Sequence, residues 1–114
     1  MQAQSLSAVE SYTTKDGSTI RELHHGAAQS LAEATVHPGE ATERHYHGAS
    51  EEIYFVLEGE GELEVEGELR HVGPGDAVLL PPGARHTIRN DGPGDLRFLC
   101  SCAPPYSHDD TFLE

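Results

Sequence analysis

At 114 residues the chain has the length of one compact domain and too little for two. Seven basic against twenty acidic side chains leave a net charge of −13 at pH 7. Such a surface repels phosphate backbones and anionic lipid, which excludes nucleic acid and the membrane surface as expected partners. No stretch approaches the roughly 20 apolar residues that span a bilayer. Met1 to Ser5 lacks the basic region and apolar core of a secretory signal, so the expected location is cytoplasmic. Cys100 and Cys102 stand two apart. In a strand their side chains run parallel at the outer limit of disulfide geometry, so both are expected as free thiols.

Twelve glycines and seven prolines punctuate short apolar runs, a rhythm that predicts an all-β domain of short strands. Residues 1–17 are polar and end in a Lys15-Asp16-Gly17 turn. They are expected to be weakly ordered or exchanged with a second copy, leaving 18–114 as the domain proper. Thr19–Leu23 is the first predicted strand. Ser30–Val36 follows, although its propensities also allow a short helix. After a turn at His37–Glu40 the chain is extended from Glu43 to His47. Glu52–Leu57 is apolar on both faces and is expected to be buried on both. Glu62–Glu66 alternates, with Leu63 and Val65 on one side and glutamates on the other. Gly67 turns into Glu68–Val72. Beyond the Gly73–Asp76 turn, Ala77–Leu80 reads as a buried strand. Pro81-Pro82-Gly83 breaks it before the strand His86–Arg89. Leu96–Cys102 is the last clear strand, with Leu96, Phe98, Cys100 and Cys102 on its inner face. The prolines at 104 and 105 cannot join a sheet, so the tail is expected to wrap over the surface.

Chemistry concentrates around His45-Tyr46-His47. Residues two apart in a strand point the same way, so two imidazoles share one face. The spacing alone is a weak signal. Its context is stronger, because Glu51-Glu52 follows after a Gly48-Ala49-Ser50 turn that can bring the next strand alongside. A carboxylate opening a buried strand is costly unless it is paired or holds a metal. Strand alternation leaves Glu51 and Glu52 equally open as that carboxylate. His86 begins a later strand just past Gly83. Three neutral imidazoles and one carboxylate suit Mn, Fe, Co, Ni, Cu or Zn better than Ca or Mg.

Two segments carry a family resemblance. Gly39, His45, His47, Glu52 and Gly59 fill the pattern Gly-x5-His-x-His-x4-Glu-x6-Gly, which resembles the first cupin motif. Gly75, Pro81, Gly83, His86 and Asn90 fill Gly-x5-Pro-x-Gly-x2-His-x3-Asn, which resembles the second. The resemblance implies a cupin double-stranded β-helix, a jelly-roll barrel. It implies one divalent transition metal ion inside that barrel, held by His45, His47, Glu52 and His86, with the spacing to Gly59 selecting Glu52 over Glu51. It also implies a homodimer, since small single-domain cupins often exchange N-terminal strands. The apolar outer residues Ile53, Phe55 and Leu57 point the same way.

Strand phase adds Tyr54, Val56 and Ile88 to the inward faces. Candidate acids or bases beside the metal are Tyr54, Cys100 and His108, the last if the tail folds over the barrel mouth together with Tyr106. Arg85 is a further candidate for the mouth. His24, His25, His37 and His71 read as exposed. The functional reading is a metal-dependent enzyme (oxygenase, isomerase, decarboxylase or lyase) acting on a small organic molecule. The alternative is a non-catalytic binding or sensing module that uses the same pocket.

Overall fold

The computed structural model describes residues 1–114. Eleven strands follow in order: β1 (Tyr12–Thr13), β2 (Thr19–His25), β3 (Ser30–Val36), β4 (His45–His47), β5 (Glu51–Glu58), β6 (Gly61–Val65), β7 (Glu68–Val72), β8 (Ala77–Leu80), β9 (His86–Arg89), β10 (Leu96–Ala103) and β11 (Thr111–Leu113). Single 3-10 turns at Leu6–Ala8 and His108–Asp110 are the only helical pieces. No helix is long and apolar enough to cross a membrane. Ser30–Val36 is a strand, because it pairs on both sides, with β2 and with β10, and tertiary pairing overrides local propensity.

The strands form two antiparallel sheets. One has six strands in the order β1-β2-β3-β10-β5-β8, the other five in the order β11-β4-β9-β6-β7. Non-sequential neighbours in both sheets are the signature of a jelly roll, an all-β fold in which two sheets enclose one interior. Inward residues of both sheets make that interior: Val56, Leu80, Leu96 and Phe98 from the larger sheet, Leu63 and Ile88 from the smaller. The polar ligand-type side chains His45, His47, Glu52 and His86 are equally buried at one end of it.

The two sequence motifs are locked to each other through the backbone. Gly39 N–H donates to the Asn90 carbonyl at 3.0 Å, and Asn90 N–H donates to the Glu40 carbonyl at 2.9 Å. The Asn90 amide is fully buried; it donates to the carbonyls of Val36 and Gly94, each at 2.8 Å, and accepts from Gly92 N–H at 2.9 Å. It thus closes the turn before β10. Gly59 has φ +82°, and a Cβ there would stand 2.3 Å from the Asp95 carbonyl oxygen, so no other residue fits. Gly83, also at positive φ, donates its N–H to the His47 carbonyl at 2.7 Å, which ties the corner before β9 to β4.

The expectations for β5, β8 and the tail need correction. β5 is not buried on both faces: Tyr54 and Val56 are buried, whereas Ile53, Phe55 and Leu57 are exposed. The same holds for β8, where Leu80 is buried and Ala77 and Leu79 are exposed. Both strands lie in a sheet with one face turned outward, so an apolar run there signals an uncovered outer face, not a second core. The tail does not only wrap the surface. Past its prolines, β11 pairs with β4, Thr111 opposite His47 and Leu113 opposite His45. Within residues 1–17, Tyr12 and Thr13 pair with Ile20 and Thr19, and the turn that follows reaches the barrel interior.

Candidate metal centre

His45 and His47 lie two apart on β4 and so project to the same side. β4 is short, but it is paired by β11 on one side and by β9 on the other, where His45 stands opposite His86. That register brings the third histidine to the pair. Ring nitrogens of His45, His47 and His86 lie within 4.8 Å of one another, all buried. Glu52, on the facing sheet, sends Oε1 to 3.2 Å from His47 Nε2 and 3.5 Å from His86 Nε2. Glu51 is exposed. The choice that strand alternation left open is made by the phase of β5, which turns Glu52 inward with Tyr54 and Val56.

The protons of the three rings follow from their outer neighbours. His45 Nδ1 is 2.7 Å from the Glu43 carbonyl, and His86 Nδ1 is 2.9 Å from the Ala84 carbonyl. A carbonyl only accepts, so both Nδ1 atoms carry a proton. His47 Nδ1 is 3.2 Å from Thr111 Oγ1, whose own proton goes to the Ser107 carbonyl at 2.8 Å, so the hydroxyl accepts from His47. With Nδ1 so engaged, a neutral imidazole at each position turns its Nε2 lone pair toward the centre, where Glu52 adds carboxylate lone pairs. Glu52 Oε1 and His86 Nε2 are buried without any hydrogen-bond partner. Converging acceptors with no donor among them are what a cation resolves, and the donor set suits a transition metal.

Without a metal the electrostatics differ from ring to ring. Burial, then the neighbouring His86, lowers the His45 pKa and keeps that ring neutral. Burial would also lower His47 and raise Glu52, but their mutual contact outweighs it, lifting His47 and, with His86, holding Glu52 at about 2. Glu52 is thus an anion, and its second oxygen accepts from the Cys102 thiol at 3.4 Å.

The centre opens into a pocket walled on one side by Ile20, Ala32, Ala34 and Phe98. Tyr54 and Cys100 line it. Burial foremost, and Glu52 next, pushes both far above their ordinary pKa, so they are proton-bearing donors. Tyr106 lines the mouth, its ring 6.0 Å from that of His47. His108 does not join: it is exposed on the 3-10 turn His108–Asp110 and offers only its backbone carbonyl, to Lys15. Arg85 also stays outside, stacked over Tyr46 and paired with Glu114 at 3.1 Å. His24, His25, His37 and His71 are exposed as expected. The sequence reading missed Thr111, Asp16 and the Cys102–Glu52 contact. Only the last had a signal, the shared inner face of β10.

Known proteins resemble the chain at each of these levels. The chain is 48% identical over 108 residues to an uncharacterized protein of Methanocaldococcus jannaschii, covering 90% of this chain and 86% of that one. It is 34% identical over 79 residues to the oxalate-binding protein of Thermotoga maritima, covering 69% of this chain and 65% of that one, just under two thirds of its length. The solved structure of a predicted oxalate decarboxylase from Thermotoga maritima superposes with a TM-score of 0.76 at 26% identity, covering 90% of this chain and 98% of that one. The family model of the cupin domain matches residues 32–102, from β3 to the penultimate residue of β10. The chain belongs to the cupin family.

Proposed function

We propose that His45, His47, Glu52 and His86 hold one divalent transition metal ion and that the protein is a metal-dependent enzyme acting on a small organic molecule in the barrel. The observation that carries this reading is the convergence of three Nε2 lone pairs and the Glu52 carboxylate in a buried space without a donor. A metal bound there supplies Lewis-acid polarisation of a carbonyl or carboxylate, or redox chemistry if it is Fe or Cu. The protein's own groups orient the substrate. Tyr54 and Cys100, both protonated, offer hydrogen bonds to a substrate oxygen. Ile20, Ala34 and Phe98 exclude water from its apolar part. Cys102 keeps Glu52 in place through its thiol proton.

A second reading, a binding module without catalysis, is favoured by the resemblance to a protein named for oxalate binding. Elemental analysis of purified protein, followed by turnover assays of oxygenase, isomerase, decarboxylase and lyase substrates on each metal-loaded form, separates the two. Absence of metal in protein purified without chelator and after reconstitution overturns the proposal. Saturable ligand binding with no turnover selects the second reading.

We further infer a homodimer through the outer face of the larger sheet. Ile53, Phe55, Leu57 and Leu79 are exposed there at 38 to 53%, side by side on the paired strands β5 and β8. An apolar strip of this kind is commonly covered in solution, and a two-fold contact covers it on both copies at once. Light scattering after size exclusion tests this, and a mass near 12.3 kDa refutes it. The free thiols Cys100 and Cys102 fit a reducing, cytoplasmic setting.

A further inference from the structure

Asp16 lies outside both motifs, on the turn between β1 and β2. We propose that Asp16 is a fifth protein ligand of the metal centre, so that a substrate reaches the metal through a single oxygen. The inference rests on the metal reading given above.

The two oxygens of Asp16 have different surroundings. Oδ1 accepts three hydrogen bonds, from Thr14 Oγ1 at 2.6 Å, Ser18 N–H at 2.9 Å and Ser18 Oγ at 2.7 Å. Oδ2 accepts none and stands 3.3 Å from His45 Nε2. His45 Nδ1 faces the Glu43 carbonyl, which turns Nε2 toward the centre and toward Asp16. Nε2 and Oδ2 are thus two ligand-type atoms 3.3 Å apart, neither engaged by another hydrogen-bond partner, in a pocket whose side chains are mostly apolar or neutral. That separation suits two adjacent donors on one cation. Glu52 stands in the same relation to the other two rings, at 3.2 and 3.5 Å. The two carboxylates divide the histidines between them, Glu52 beside His47 and His86, Asp16 beside His45.

The turn that carries Asp16 is held on both sides of the site. The Asp16 carbonyl accepts Glu43 N–H at 2.7 Å, and Glu43 is the residue whose own carbonyl sets the His45 tautomer. Lys15, the only lysine of the chain, donates to the carbonyls of His108 at 3.0 Å and Thr111 at 2.7 Å. Thr111 in turn takes the His47 proton. A solvated turn aspartate needs no such anchoring, and the Asp16 side chain is only 13% exposed.

The chemistry that follows is specific. Three neutral imidazoles and two carboxylates neutralise a divalent ion, and no lysine or arginine lines the pocket. Five protein donors leave one position on a six-coordinate metal. Such a centre takes a neutral hydroxyl or carbonyl compound through one oxygen. It discriminates against a chelating dianion, which needs two adjacent positions and meets two fixed carboxylates.

The test uses Mn(II) as the probe in the wild-type chain and in the Asp16→Ala and Asp16→Asn variants. The latter keeps an acceptor for Thr14 and Ser18, so it holds the turn if the alanine variant fails to fold. Metal-bound water is counted by line broadening of the Mn(II) resonance in oxygen-17 water, and Mn(II) affinity is measured by titration. The expected result is one bound water in the wild type and two in either variant, with affinity about 10- to 100-fold weaker in the variants. Oxalate is expected to bind the Mn(II)-loaded variants more tightly than the wild type. Equal water counts in all three proteins, with Mn(II) bound to each, overturn the role of Asp16 and leave the four-ligand reading standing. A wild-type chain that takes up neither Mn(II), Ni(II) nor Zn(II) overturns both.

Discussion

Thr111→Val tests the proton assignment on which the metal centre depends. Thr111 is 1% exposed, and valine matches its shape while removing the hydroxyl. The substitution deprives His47 Nδ1–H of its acceptor at 3.2 Å and the Ser107 carbonyl of one of its two donors, leaving it Asp110 N–H at 3.2 Å. A hydrogen bond to a ring that shares the charge of a metal contributes about 1.5–3 kcal/mol. At about 1.4 kcal/mol per tenfold, that corresponds to roughly 10- to 100-fold in metal affinity, the usual range for groups that orient a histidine ligand. The lost Thr111–Ser107 hydrogen bond costs a further ~1 kcal/mol of fold stability, separable by denaturation of the metal-free protein. Competition of Zn(II) against a chelator of known affinity measures the effect, and Thr111→Ser, which keeps the hydroxyl, is expected to restore binding. A Thr111→Val protein that is folded and binds Zn(II) within about twofold of wild type refutes the tautomer argument.

His45→Ala/His47→Ala/His86→Ala should carry no transition metal by elemental analysis, and metal content equal to wild type contradicts the centre. Metal affinity should fall with falling pH, because the imidazoles bind only when neutral. The decline begins with His47, whose contact with Glu52 raises its pKa above the ordinary 6.5, while burial keeps His45 neutral to lower pH. Occupancy that stays constant from about pH 8 to 5 speaks against histidine ligands. Asn90→Ala removes three side-chain hydrogen bonds, one buried and two partly buried, and should cost about 3 kcal/mol at ~1 kcal/mol each, read from the urea midpoint at unchanged slope. A loss below about 1 kcal/mol would show that the Asn90 side chain closes the turn before β10 with little gain in stability.

The family and the three histidines were legible because their information is local. Strand periodicity aligns His45 with His47, and the glycines and prolines of the motifs require turns that few sequences share. Glu52 over Glu51 was legible only through spacing to Gly59, since alternation allows either residue inward. The outer face of β5 misled for a physical reason. Ile53, Phe55 and Leu57 are apolar, and composition does not tell a second core from an exposed outer face.

Sequence by itself determined what each short segment does: where strands alternate, where the chain turns and which side chains share a face. Those properties depend on neighbours within a few residues, and β-geometry has a period of two whatever the fold. Only the tertiary structure decided which segments meet. Thr111 reaches His47 because β11 pairs with β4 across 64 positions of chain. Asp16 reaches His45 because its turn is pinned to Glu43 on one side and, through Lys15, to the C-terminal segment on the other. His108, three residues before β11, turns to solvent while Tyr106 turns to the pocket. Contacts of this range leave no periodic trace in the sequence, since an aspartate in a turn and a threonine in a tail read alike whether they face water or a metal site.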